Sequence, residues 1–65
     1  MKYYFIGIKG TGMGALACML KDLGNDVSGS DLEKHFFTED ELRKRDIPMF
    51  GFNADQVPDH ATIII

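Results

Sequence analysis

The sequence predicts an α/β protein built on a parallel, doubly wound sheet. Short β-prone runs alternate along the chain with segments of helical periodicity, and the connections between them are brief. A glycine-rich turn joins the first β-prone run to the first helical segment. Alternation of this kind is typical of βαβ units, in which successive strands lie parallel and the crossovers are right-handed.

The first strand is predicted at Tyr3–Ile8, which is apolar on both faces, as strands buried within parallel sheets are. The first helix is predicted at Gly12–Leu23. Four apolar side chains repeat there with helical spacing and are expected to form its buried face: Leu16, Met19, Leu20 and Leu23. Gly24 follows at the place where helices commonly end in left-handed backbone.

The second strand is predicted at Asn25–Asp31, and a loop at Leu32–Phe37 follows it. The aromatic side chains of this loop are expected to pack on the second helix, the alternative being that they stack on a base. That helix is predicted to open at Thr38, because Thr38 and Glu41 have the spacing of a capping box. Acidic residues in its first turn and basic residues in its last turn suit the helix dipole.

Pro48 prevents the second helix from continuing. A short strand is predicted at Met49–Phe50, a helical turn at Ala54–Val57 and a final strand at Thr62–Ile65. Because the chain stops within an apolar β-prone run, we expect it to be a piece of a longer protein. We also expect it to self-associate through that uncovered strand.

The segment Gly10–Ala15 matches the pattern G-x-G-x-x-[GA] between a predicted strand and a predicted helix. Unpaired N–H groups and the positive end of the helix dipole meet at such a turn, and a glycine lets a phosphate approach the backbone. The sequence therefore predicts a diphosphate site formed by Gly10, Thr11, Gly12 and Met13, the alternative being a tight turn that binds nothing. Lys9, beside them, is expected either to pair with a phosphate oxygen or to be solvated.

Asp31 lies 21 residues after Gly10, at the end of the second predicted strand. In dinucleotide-binding folds an acid at this place bonds a ribose hydroxyl, but an aspartate also suits a loop cap. The small residues Ser28, Gly29 and Ser30 either leave room for a sugar or base, or form a narrow strand beneath a bulky neighbour.

Composition argues against several other functions. The formal net charge is −3, the pI is near 5.1, and the seven Lys and Arg residues are scattered, so no nucleic-acid partner is expected. One cysteine allows no intrachain disulfide, which suggests a reducing, cytoplasmic location. No apolar run has the length of a membrane span, and no metal-ligand spacing or catalytic constellation is evident.

Two segments, Tyr4–Ala17 and Asp22–Asp31, resemble the N-terminal, Rossmann-like domain of the Mur ligases. Their closest likeness is to the branch that joins L-alanine to UDP-N-acetylmuramate, and residues 33–38 look like its Bacillota-type members. The resemblance implies that residues 10–13 lie along the diphosphate of UDP-N-acetylmuramate, with Ser30 and Asp31 near the uridine. Two residues depart from the family pattern, since Lys9 and Asp46 stand where many members have glycine.

The resemblance also implies an ATP-dependent ligase that forms an acyl phosphate, with ATP and magnesium on a central domain and L-alanine bound with help from a third. The sequence contains no G-x-x-x-x-G-K-[ST] segment, so ATP and magnesium are expected outside residues 1–65, and no catalytic residue is assigned here. Three alternatives stay open: an NAD(P)-binding piece of an oxidoreductase, a ligase that recycles murein peptides, and a non-catalytic relative.

Overall fold

The computed structural model describes residues 1–65 and contains one sheet of four parallel strands. The strands are β1 (Lys2–Ile6), β2 (Asp26–Ser30), β3 (Met49–Phe50) and β4 (Thr62–Ile64). The helices are α1 (Thr11–Asp22), α2 (Glu39–Lys44) and a 3₁₀ helix at Ala54–Gln56. Neither α-helix has the length and apolar character needed to cross a membrane. The predicted α/β class with a parallel sheet is confirmed.

The strand order is β3-β2-β1-β4, so the direction of winding reverses between β1 and β4. This is the order at the start of a doubly wound sheet, whose ligands bind beyond the carboxyl ends of the strands at the reversal point. The turn that follows β1 lies at that point. The topology therefore places the glycine-rich segment where such folds bind their ligands.

Strand β1 is covered on both faces, as its apolar sequence predicted. Phe5 is fully buried and packs in one cluster with Ala17 of α1 and Leu42 of α2, so both helices cover that face. Tyr4 points to the opposite face and is only 1% exposed. A groove beside Tyr4 on that second face is lined by Phe52, Asn53, Ala54 and Val57.

Strand β1 ends at Ile6, two residues earlier than predicted, because Gly7 turns the backbone with a φ of 89°. The N–H groups of Gly7 and Ile8 both donate to the carbonyl oxygen of Ser30. Ile8 then folds over Gly29, where an added Cβ would lie 2.7 Å from its Cδ1. At Gly29 the structure shows a narrow strand beneath a bulky neighbour, and room for a sugar or base beside Ser28 and Ser30 stays a prediction.

The predicted buried face of α1 is wrong. The buried residues of α1 are Gly14 and Ala17, and Leu20 is only half-buried. Three of the four predicted core residues are exposed by 37–73%: Leu16, Met19 and Leu23. Small side chains let α1 lie close to the sheet, and the large ones project to sides that no element of the chain covers.

Both α-helices end in the same hydrogen-bonded motif. After α1, Gly24 (φ 94°) donates to the carbonyl of Lys21, and the next residue donates to that of Leu20. An identical pair of bonds follows α2, where Asp46 has a φ of 55°. The prediction for Gly24 is confirmed. The aspartate in place of a glycine leaves the end of α2 regular, although its left-handed backbone is disfavoured for a residue with a side chain.

The predicted capping box of α2 does not form. Thr38 has helical backbone, and its hydroxyl donates to the carbonyl oxygen of Lys9 at 2.5 Å instead of accepting from the helix. The carboxylate of Glu41 accepts from Lys44 and Arg45 rather than reaching back to the cap. The predicted acidic first turn and basic last turn are confirmed.

Candidate functional site

The glycine-rich turn, which consists of residues 7–10 and the first turn of α1, presents three backbone N–H groups that have no partner within the chain. Gly10 caps α1 in an extended conformation, and its carbonyl accepts the first helical bond from Gly14 at 2.7 Å. The N–H groups of Thr11, Gly12 and Met13 precede that bond and remain free. No acidic side chain occupies the first turn. The dipole of this 12-residue helix adds partial positive charge, so the turn is suited to hold an anion.

Two glycines at the start of α1 have different structural roles. A Cβ at Gly14 would lie 3.3 Å from the carbonyl oxygen of Ile8 and 3.5 Å from Cβ of Thr38, so Gly14 lets α1 approach β1 and α2. Ala15, the last residue of the matched pattern, is exposed. A Cβ at Gly12 would meet no atom within 4 Å, which leaves the amides open to solvent and to a ligand.

Asp31 holds the ends of β1 and β2 together. One of its carboxylate oxygens accepts from the N–H of Lys9 at 2.9 Å, and the other accepts from the N–H of Leu32 at 2.7 Å. Ser30, beside it, is only 2% exposed. The structure therefore gives Asp31 the loop-capping role, and its bond to a ribose stays a prediction.

The side chain of Lys9 turns into the protein rather than towards the free amides. Its ammonium lies 2.6 Å from a carboxylate oxygen of Glu39 and donates to the carbonyls of Leu32 at 2.9 Å and Lys34 at 3.1 Å. Lys9 is 8% exposed and Glu39 is 4% exposed. An ammonium has three donors, and all three are used here. Lys9 is therefore not solvated, and in this arrangement it has no donor left for a phosphate.

Glu39 stays ionised at neutral pH. The hydrogen bond from Lys9 lowers the pKa of this carboxyl, burial opposes that effect, and Arg43 lowers it further. Arg43 donates from Nε to the second carboxylate oxygen, and its Nη2 lies 3.0 Å from the same oxygen. His35 approaches the same oxygen at 3.7 Å. The start of α2 thus carries a fixed negative charge, and its main partner is Lys9.

A model described as the catalytic domain of the Mur ligase family matches residues 2–64. The chain belongs to the Mur ligase family. This match covers nearly the whole chain and confirms the resemblance found in the sequence.

A solved structure is similar to this Mur ligase chain. It is the crystal structure of UDP-N-acetylmuramate-alanine ligase MurC from Thermotoga maritima, with 42% sequence identity and a TM-score of 0.80 over 91% of the chain. The chain spans 14% of the length of that relative.

Two residues that help to shape the Mur ligase turn were not identified as site residues from the sequence. Thr38 and Glu39 were assigned to the start of a helix, yet both bond to Lys9. One signal was available, because Lys9 directly follows a buried strand and a lysine there needs a partner or water. The identity of that partner depends on where α2 lies.

A groove of about 340 Å³ separates α1 from α2 beside the turn. It is lined by Cys18 on one side and by Phe37 on the other, and Phe37 is 75% exposed instead of packing on α2 as predicted. Arg45 closes one end by bonding to Asp22 and Glu41, and these hydrogen bonds raise its pKa above the usual range. No three acidic, histidine or cysteine side chains are grouped to hold a metal ion.

Proposed function

We propose that this chain is the sugar-nucleotide-binding N-terminal part of an ATP-dependent ligase that joins L-alanine to UDP-N-acetylmuramate in peptidoglycan synthesis. Its membership of the Mur ligase family and its 42% identity to an alanine-adding relative support this assignment. In this proposal the enzyme is cytoplasmic, and UDP-N-acetylmuramate is the substrate that these residues contact.

The observation that carries the proposal is the set of free amides at Thr11, Gly12 and Met13. A diphosphate has enough oxygens to accept from all three, and each bond to a charged oxygen contributes about 1.5–3 kcal/mol. Two or three such bonds outweigh the repulsion from a diffuse net charge of −3. In the proposed complex the diphosphate lies across these amides and Gly10, and the uridine lies near Ser30 and Asp31.

The proposal assigns no residue of this chain to ATP, magnesium or L-alanine. The sequence has no G-x-x-x-x-G-K-[ST] segment for nucleotide phosphates, and its acidic side chains form no metal-binding group. In the proposed enzyme these groups bind to further domains, where the lactyl carboxylate is phosphorylated and then attacked by the amine of L-alanine. The part played by residues 1–65 is to hold the sugar nucleotide in place.

An NMR titration of the ¹⁵N-labelled chain tests the proposal. UDP and UDP-N-acetylmuramate are expected to shift the amide signals of residues 11–13 in a saturable way. NAD, which a dehydrogenase would bind at the same kind of turn, serves as the competing ligand. Tighter binding of NAD, or ligand-induced shifts confined to another part of the chain, would refute the proposal.

A further inference from the structure

The residue before Gly10 is tied to three separate parts of the chain. The N–H of Lys9 donates to Asp31, its carbonyl accepts from the hydroxyl of Thr38, and its ammonium pairs with Glu39. The same ammonium also donates to two carbonyls in the loop that leads to α2. Backbone and side chain of one residue therefore join the end of β1, the end of β2 and the start of α2.

This anchoring acts directly on the free amides. Gly10 follows Lys9 and provides the carbonyl that begins α1, so any displacement of Lys9 moves the N–H groups of Thr11 and Gly12 with it. The turn itself contributes little rigidity, because Gly7, Gly10 and Gly12 have no side chains to pack. A bond between Gly10 and Gly7 at 3.0 Å is its main internal support. The position of the amides is therefore set from outside the turn.

The Lys9–Glu39 pair is suited to such a role because it is buried and directional. Each partner is less than 10% exposed, and the second carboxylate oxygen of Glu39 faces Arg43 and His35. Buried ion pairs give little net stability, but the geometry they require can select one arrangement of the backbone. An exposed pair such as Lys44 and Glu41 imposes no comparable constraint.

We propose that the buried Lys9–Glu39 ion pair is a positioning device that sets the three free amides of the glycine-rich turn for a diphosphate. Lys9 and Glu39 do not touch the ligand in this account. They act through the backbone of the turn, and the inference rests on the proposed binding of a diphosphate there.

The variant Glu39→Gln separates positioning from simple attraction. It removes a negative charge close to the turn, so electrostatics alone would make UDP bind more tightly. If Glu39 positions the turn, Glu39→Gln instead weakens UDP binding by about tenfold, the loss that follows when one hydrogen bond to a charged oxygen is misaligned. Glu41→Gln makes the same charge change on an exposed residue of α2, and its affinity is expected to stay within about twofold of the parent because screening is strong there.

Circular dichroism establishes that each variant is folded at the temperature of the NMR titration. Thr38→Val provides a second test that leaves all charges in place, since it removes only the hydroxyl that bonds to Lys9. It too is expected to weaken UDP binding, by a few-fold, and it is decisive should Glu39→Gln unfold. Unchanged or tighter binding of UDP by a folded Glu39→Gln variant, or unchanged binding by Thr38→Val in its place, would overturn the inference.

Hydrogen exchange gives a readout that needs no ligand. The N–H of Gly10 bonds within the turn, and it is expected to exchange faster in Glu39→Gln than in Glu41→Gln. Failure of the parent chain to bind UDP would refute the proposed function, and equal exchange rates in the two variants would then refute the positioning role as well. If the parent chain binds UDP, and Glu39→Gln and Glu41→Gln bind it with the same affinity, only the positioning role is refuted.

Discussion

Replacing Gly12 with alanine separates the proposed diphosphate role of the turn from its role in folding. A Cβ at Gly12 would have no heavy atom within 4 Å, so the folded chain accommodates it. Alanine favours a helix over glycine by up to about 1 kcal/mol, so the free energy of unfolding is expected to stay unchanged or rise slightly. Side chains on a helix tilt towards its N-terminus, which directs the new methyl group at the free amides.

Gly12→Ala is expected to weaken the binding of UDP without lowering the stability of the fold. Loss of one hydrogen bond to a phosphate oxygen, about 1.5–3 kcal/mol, raises the dissociation constant of UDP by roughly ten- to a hundredfold. Thermal unfolding followed by circular dichroism measures stability, and NMR titration with UDP measures affinity. Met19→Ala, at an exposed position about two turns further along α1, is the matched control and is expected to bind UDP normally. A folded Gly12→Ala chain with the affinity of the parent would refute the reasoning.

Gly29→Ala is expected to lower the free energy of unfolding in urea by at least about 2 kcal/mol, because its Cβ would lie 2.6 Å from the carbonyl oxygen of Phe5. Unchanged stability would contradict the packing of β1 on β2. Asp46→Gly is expected to raise the melting temperature, with a gain of about 0.5–1 kcal/mol from relief of left-handed backbone, and a lower melting temperature would contradict this. The pKa of Glu39 is lower in the folded chain than in the unfolded chain. Its contribution to the free energy of unfolding is therefore complete at neutral pH and is lost as the pH falls from about 5 towards the folded pKa. Urea unfolding at several pH values should therefore show a shallower acid loss in Glu39→Gln. Sedimentation velocity is expected to show self-association through the exposed isoleucines at β4, and a monomer at high concentration would contradict it.

Much of the fold was predictable because it depends on local sequence. Gly24 ends α1 in left-handed backbone, and the apolar run around Phe5 forms a strand covered on both faces. The glycine-rich segment follows β1 and begins α1, with Gly10 as the N-cap and the amides of residues 11–13 free. In each case neighbours along the chain decide the conformation, through φ preferences, side-chain alternation and the hydrogen-bond pattern of a helix end.

The wrong predictions concern contacts between segments. Helical spacing identified a large apolar stripe on α1, but the helix turned the small residues Gly14 and Ala17 to the sheet because they allow a closer approach. Spacing also suggested a capping box at Thr38, but the hydroxyl of Thr38 donates to the carbonyl of Lys9 instead. Periodicity shows which residues share a face, and it cannot show which face has the better partner.

The sequence by itself determined the order of strands and helices, the family and the place of the glycine-rich motif, because these depend on short stretches of neighbouring residues. Only the tertiary structure decided that Lys9 pairs with Glu39, that Asp31 braces the turn and that Gly14 carries the helix packing. The physical reason is distance along the chain. Lys9 and Glu39 are 30 residues apart in sequence, and their atoms meet only after β1, β2 and α2 have packed together.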